Sequence, residues 1–275
     1  MKKLLIRTAS GIGFVALTVA AFLFNKYLFA AYMLFIMSAM MVELYRMSVG
    51  QTYRFAQALS IITGAAMFCL VFSHEAFGLP ARYIALSALL IIVLMASSLF
   101  VRDKSQFDKY AFLITGLLYI SVPLTLSNLV VFNNGQFCGA VLLYFFIIIW
   151  CSDVGAYIFG MALGQKYGPR LCPEISPKKS WIGFWGGLLF AAISALVIKW
   201  VGLWDLPAIH CIALGLVMGT TGVAGDLFES MWKRHYGLKD SGNIIPGHGG
   251  MLDRFDSTLF AMPFGALYLT LFNLL

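Results

Sequence analysis

One helical segment near residue 230 combines two carboxylates, a hydroxyl and an ammonium group on a single face. Asp226, Glu229, Ser230 and Lys233 follow the spacing i, i+3, i+4 and i+7, which places them on one side of a helix. The alternative interpretation is a helix end at which the basic side chains extend to the membrane interface. That alternative suits Lys233, but it does not explain a carboxylate one turn deeper.

The next segment is a glycine-rich loop followed by acidic residues. Its glycines lie around Pro246 and His248 and let the backbone approach a ligand closely; they are Gly242, Gly247, Gly249 and Gly250. The spacing imitates a P-loop, but His248-Gly249 stands where Lys-Ser/Thr is required, which excludes that motif. Asp253 and Asp256 flank Arg254, and carboxylates beside basic residues suit Mg²⁺ that bridges protein to phosphates. A solvated turn with Asp256 and Ser257 as helix cap is the alternative.

A third polar segment is Ser176-Pro177-Lys178-Lys179. Serine followed by proline predicts a helix start, with Ser176 as N-cap and Pro177 as the first helical residue. Both lysines then lie in the first turn, where the helix dipole disfavours cations unless an anion is bound there. An anchor for a membrane helix is the equally good alternative.

The elements that carry these residues are apolar. Of the 275 residues 61% are hydrophobic and 11% are charged, which excludes soluble enzymes, disordered proteins and nucleic-acid-binding proteins. A bilayer-spanning helix needs about 20 apolar residues. We therefore predict an all-α polytopic membrane protein with about nine transmembrane helices in a single domain, residues 1–275. Its N-terminal helices take about 1–135 and its catalytic helices and loops about 137–275. The charge-free stretches are 8–25, 27–42, 55–74, 83–101, 110–152 (divided at Asn133-Asn134-Gly135-Gln136), 180–198, 206–225 and 257–275.

The basic residues predict the orientation of this bundle. With nine spans, 16 of the 19 Lys and Arg residues fall on the side of the N-terminus, and only Lys26, Arg82 and Lys199 fall on the other. The positive-inside rule makes the first side cytoplasmic. Two long polar loops, about 161–180 and 229–256, lie on that side. Asp153, Asp226 and Asp256 lie beside them near membrane depth, where charges are costly and usually functional.

The chain resembles a known family over its second half. The pattern S-x2-K-R-x4-K-D-x-G-x3-P-G-H-G-G-x2-D-R-x-D, residues 230–256, is similar to the signature of the phosphatidate cytidylyltransferases (CDP-diacylglycerol synthases). Residues 176–181 and Asp153 with Gly155-Ala156-Tyr157 also match that family. One position departs from it, because Ile182 stands before Gly183 where the family usually has Glu.

The resemblance implies transfer of CMP from CTP to phosphatidic acid with Mg²⁺, by an enzyme of the cell (inner) membrane whose active site faces the cytoplasm. The expected partners are CTP, phosphatidic acid and the lipid bilayer. Nucleic acid is not an expected partner, and both a monomer and a homodimer are compatible with the sequence. The implied catalytic residues are Asp226, Asp253, Lys233 and Lys239. The implied metal ligands are Asp226, Asp253 and Asp256, with Asp153 a further ligand or orienting group. The implied substrate-binding residues are Ser176, Lys178, Lys179, Ser230, Arg234, His248, Gly249, Gly250, Arg254 and Asp153.

Such a reaction needs electrostatics more than proton transfer. A phosphatidate oxygen is already anionic near pH 7, since the second phosphate pKa is about 6, so cations and a metal must bring two anions together. Two alternatives belong to other classes. An ion-coupled transporter would show broken helices or repeats near the midplane, and other membrane transferases of lipid phosphates carry different aspartate motifs.

Overall fold

The computed structural model describes residues 2–101 and 104–275, with side chains from Thr8 onward. In this part of the chain nine helical segments occur, and each overlaps one of the predicted apolar stretches. Arg102 and the side chains of Lys2, Lys3 and Arg7, which enter the predicted charge asymmetry, lie outside the described residues. The helices are α1 (Lys2–Leu23), α2 (Lys26–Ser48), α3 (Arg54–Phe77), α4 (Ala81–Phe100), α5 (Phe107–Val131), α6 (Ala140–Tyr167), α7 (Trp181–Trp200), α8 (Ala208–His235) and α9 (Leu252–Leu271).

The predicted class, an all-α polytopic membrane protein, is confirmed. Seven helices of the described chain, α2 to α8, are long and apolar enough to cross a bilayer. The apolar part of α1, Thr8–Leu23, is shorter. The count of nine spans and the cytoplasmic N-terminus stay predictions.

The chain divides into two compact units, and the first comprises Met1–Gly139 and Leu238–Arg254. Its core is rich in methionine and phenylalanine from α2 and α3, including Met33, Met37 and Phe68. A hairpin follows α5, in which β1 (Phe132–Asn133) pairs antiparallel with β2 (Gln136–Phe137). Between the strands Asn134 and Gly135 both have positive φ, as a two-residue hairpin turn requires. The predicted chain break at this sequence is confirmed.

The second unit comprises Ala140–Gly237 and Phe255–Leu275. Small residues let its helices approach closely, as in many membrane bundles. A Cβ atom on Gly155 of α6 would lie 2.7 Å from the carbonyl oxygen of Gly186 on α7. A Cβ atom on Gly215 of α8 would lie 2.7 Å from the carbonyl oxygen of Ala191. Helices α6, α7 and α8 therefore pack backbone against backbone.

The helices extend further than the apolar stretches from which they were predicted. Helix α6 continues through a π-helical turn, Gly160–Gly164, to Tyr167, and α8 continues to His235. Helix α9 begins at Leu252 and not near 257, so Asp253 lies inside its first turn. The predicted loops 161–180 and 229–256 were too long, because a charged residue ends an apolar stretch without ending a helix.

The predicted helix start at Ser176 was wrong. Residues Ser176–Ser180 form strand β4, which pairs antiparallel with β3 (Arg170–Cys172). Helix α7 begins after this hairpin, with Ser180 as its N-cap. The Ser180 Oγ accepts a hydrogen bond from Gly183 N at 3.1 Å. Lys178 and Lys179 therefore lie in an extended strand that leads into the helix, and not in its first turn.

Candidate active site

A cavity of about 310 Å³ in the second unit brings together four charged residues that the sequence singled out. Asp153 comes from α6, Lys178 and Lys179 from β4, and Asp226 from α8. The cavity also has apolar walls, which include Ala156, Met161, Leu171, Phe184 and Val223. Two carboxylates, two ammonium groups and an apolar lining suit a ligand that is both anionic and lipid-like.

An ion pair within this cavity joins Lys179 and Asp226. The Lys179 Nζ lies 2.5 Å from the Asp226 Oδ2, and the two side chains are 26% and 30% exposed. The Ser230 Oγ donates a hydrogen bond to the other carboxylate oxygen at 3.2 Å. Asp226, an implied metal ligand, is therefore paired within the protein. An ion pair with this exposure is weak, so a phosphate can compete for Lys179 and a cation for Asp226.

The predicted helix face of α8 carries a second ion pair one turn further on. Lys233 and Glu229 are bonded at i, i+4, and Glu229 is fully buried. The Lys233 ammonium, predicted to act on substrate, is thus engaged inside the protein. Arg234 lies exposed near the end of the same helix.

A further carboxylate of the second unit is that of Asp256 on α9. It is half-buried, and its Oδ1 accepts a hydrogen bond from Ser257 N at 2.6 Å. The charges that act on it are those of Asp226, Asp153 and Lys233. Three carboxylates thus share one electrostatic environment. Within the described residues, however, no three His, Cys, Asp or Glu side chains converge to hold a metal by themselves.

Asp253 lies in the first unit, where its carboxylate binds the backbone of the glycine-rich loop. Its Oδ2 accepts hydrogen bonds from Gly250 N at 2.7 Å and Ser241 N at 2.9 Å. A Cβ atom on Gly249 would lie 2.6 Å from the same oxygen. The predicted close approach of Gly249 and Gly250 is therefore made to a carboxylate of the protein.

The remaining predicted residues of the loop lie in different environments. The imidazole Nδ1 of His248 lies 3.2 Å from the Oγ of Ser10 on α1, which also donates to the carbonyl of Pro246 at 2.9 Å. Lys239 and Arg254 are exposed. Helix α1 therefore contacts the loop directly, which the sequence did not indicate.

Sequence reasoning also missed Glu43 of α2. This carboxylate accepts hydrogen bonds from Leu252 N at 2.8 Å, Met251 N at 3.0 Å and Ser241 Oγ at 3.2 Å. A signal was present, because Glu43 is an acidic residue in an apolar helix, and such residues are usually functional.

Ile182 stands where the family usually has Glu, and its side chain lies against Gly168, just before β3. A Cβ atom on Gly168 would lie 2.9 Å from the Ile182 Cδ1, so the position is filled by an apolar contact.

Comparisons with known proteins agree on one family. The model of the family described as "Cytidylyltransferase family" matches residues 5–272. The chain is 39% identical over 199 residues to a protein named phosphatidate cytidylyltransferase from Bacillus subtilis (strain 168), covering 72% of each chain. It is 33% identical over 213 residues to a protein of that name from Staphylococcus aureus (strain COL), covering 76% of this chain and 78% of the relative. A Staphylococcus epidermidis protein of the same name is 34% identical over 218 residues, covering 76% of this chain and 78% of the relative.

Proposed function

The chain belongs to the cytidylyltransferase family, as the resemblance indicated, and from that premise we propose that it transfers CMP from CTP to phosphatidic acid. A phosphate oxygen of phosphatidic acid forms a bond to the α-phosphorus of CTP. The bond from that phosphorus to the bridging oxygen of the β-phosphate breaks. The products are CDP-diacylglycerol, an intermediate of phospholipid synthesis, and pyrophosphate.

The cavity with the Lys179–Asp226 ion pair is the observation that carries this proposal. The reaction needs two polyanions side by side, and lysines are the groups that bring anions together. Lys178 and Lys179 line the cavity beside apolar side chains such as Phe184 and Met161, as a lipid phosphate requires. Lys179 exchanges Asp226 for phosphate when substrate binds.

The other basic residues have graded roles in this proposal. Lys239 and Arg254 are exposed, as groups that bind a phosphate must be, and they remain predicted phosphate-binding residues together with Arg234 and His248. Lys233, held by Glu229, sets the charge around Asp256 more than it binds substrate. None of these residues must remove a proton, since the attacking oxygen is already anionic.

Mg²⁺ belongs to the proposal as well. Asp153 and Asp226 line the same cavity, and one or two carboxylates completed by substrate phosphates are a usual Mg²⁺ environment. Asp153 and Asp226 therefore suit Mg²⁺ without a third protein ligand in the cavity. Asp256 adds negative charge nearby. When bound, the metal supplies Lewis-acid stabilisation of charge on the phosphates.

The proposed location is the cell membrane, with the active site facing the cytoplasm. The 16-to-3 distribution of Lys and Arg supports this orientation. A variant that keeps Cys172 as its one cysteine tests it, because Cys172 lies in β3 beside the cavity-lining strand. An impermeant thiol reagent should leave Cys172 unlabelled in sealed spheroplasts and label it after permeabilisation. Labelling in sealed spheroplasts would contradict the orientation.

Incorporation of labelled CTP by the purified protein tests the function. Mixed micelles with phosphatidic acid and Mg²⁺ should yield labelled CDP-diacylglycerol, and micelles with diacylglycerol in place of phosphatidic acid should yield none. A transporter would form no product in either case. Transfer of label to a lipid without a phosphate would assign the chain to another transferase reaction.

A further inference from the structure

Glu43 is a buried acidic residue far in sequence from every motif that the function uses. It lies in α2 and is 1% exposed. Its carboxylate accepts hydrogen bonds from Met251 N and Leu252 N, which are 208 and 209 residues away along the chain. Glu43 and these partners all belong to the first unit. The contact therefore ties α2 to the loop within one compact body.

The two backbone amides stand at the beginning of α9. The first N–H groups of a helix have no partner inside the helix, and a carboxylate there is favoured by hydrogen bonding and by the helix dipole. A helix cap usually comes from the residue just before the helix. Here Glu43 of another helix supplies it, while Asp253 accepts the hydrogen bond from Gly250 N. The first amides of α9 are thus capped by a residue of α2.

Two glycines of the loop match this carboxylate. A Cβ atom on Gly250 would lie 2.6 Å from the Glu43 Oε2, and a Cβ atom on Gly242 would collide with the Glu43 Oε1. The Ser241 Oγ donates to the same carboxylate at 3.2 Å. The loop therefore wraps around Glu43, and a side chain at Gly242 or Gly250 would meet this carboxylate and, at Gly250, the Ser241 Oγ as well.

We propose that Glu43 is a positioning residue for the transferase reaction, holding loop 241–252 so that the phosphate-binding residues His248 and Arg254 keep their places. This inference rests on the proposed function, because it assigns those two residues to substrate. Glu43 itself is fully buried and acts through the loop. Helix α2 of the N-terminal half thereby contributes to the order of the loop that carries these two residues.

Glu43→Gln is the direct test. Glutamine has the same size, but its NH₂ group would face a backbone N–H, so one hydrogen bond is lost. Hydrogen exchange of the Met251 and Leu252 amides should become about tenfold faster or more. The kcat/KM for CTP should fall about 10- to 100-fold, the effect of a small displacement of positioning groups. Glu75→Gln on α3 is the matched control and should change neither quantity.

The kinetic constants separate positioning from loss of folded protein. Fewer folded molecules would lower the apparent kcat and leave the KM for CTP unchanged, whereas displaced phosphate-binding residues raise that KM. Glu43→Asp, which keeps the charge on a shorter side chain, should give an intermediate KM and serves if Glu43→Gln does not fold. Unchanged KM in a variant with faster amide exchange would overturn the positioning role.

Failure of the proposed function would look different. A wild-type protein that forms no CDP-diacylglycerol would remove the proposed reaction, but the amide exchange would still report on the cap. Unchanged exchange of Met251 and Leu252 in both Glu43 variants would overturn the cap itself.

Discussion

Two acidic residues of the first unit and two of the second lie in different environments. In the first unit Glu43 and Asp253 accept hydrogen bonds from backbone amides of one loop. In the second unit Asp153 and Asp226 line a cavity with two lysines, and Asp226 pairs with Lys179. A backbone amide is fixed by the fold, whereas a lysine ammonium sits on a flexible four-carbon chain.

This difference separates two functions of one residue type. A buried carboxylate that accepts backbone N–H groups maintains the shape of a loop, and losing it leaves those donors unsatisfied. A partly exposed carboxylate paired with lysine exchanges its partner at modest cost. Changes to Glu43 and Asp253 should therefore act through the order of the loop, and changes to Asp153 and Asp226 should act on substrate directly.

The largest effect is expected from Asp226→Asn. Asparagine keeps the size of the side chain and a hydrogen-bond acceptor for Ser230 but removes the charge that pairs with Lys179 and suits Mg²⁺. Turnover should fall about 100-fold or more, as for other groups that stabilise charge in a transition state. CTP incorporation measures the loss. Amide exchange of the loop should stay at the wild-type rate, because Asp226 has no part in the hydrogen bonds described for it.

Asp253→Asn sharpens the comparison. The NH₂ group of the new asparagine would face Gly250 N or Ser241 N. Hydrogen exchange at those two amides should therefore become faster, and turnover should fall. The resemblance instead implies that Asp226 and Asp253 are both metal ligands, and the competing prediction is that they share one ion. That prediction requires both single variants to abolish turnover and their effects to be strongly non-additive. Loss of activity without faster amide exchange in Asp253→Asn would favour a metal ligand over a loop-holding residue.

A smaller effect is expected at the lysines. Changing Lys178 and Lys179 together to Gln should raise the activation free energy by about 1–3 kcal/mol, the range for charge-assisted contacts. The single Lys179 variant should lose more than the single Lys178 variant, because only Lys179 is held in place by Asp226. Activity of the double variant within twofold of wild type would make both residues membrane anchors.

The sequence predicted what depends on local pattern. Charge-free stretches located the helices, Asn134-Gly135 located a hairpin turn, and helical spacing placed Ser230 beside Asp226. Contacts between distant segments could not be read in this way. The pairing of Lys179 with Asp226 depends on how β4 packs beside α8, and the cap of α9 by Glu43 joins residues more than 200 positions apart.

The smallest expected effect concerns stability and the start of α7. Ser176 and Ser180 both precede this helix, but only the Ser180 Oγ accepts a hydrogen bond from a helical amide, that of Gly183. Ser180→Ala should lower the free energy of unfolding by about 1 kcal/mol, the usual cost of losing an N-cap, and Ser176→Ala should leave it unchanged. Thermal unfolding of both variants in one detergent measures the difference. Equal midpoints would show that the Ser180 hydroxyl does not stabilise α7. A larger loss of stability in Ser176→Ala would favour the predicted helix start at Ser176. The comparison is sharp because both positions lie in the same strand, so a general effect of removing a hydroxyl from β4 would appear in both variants.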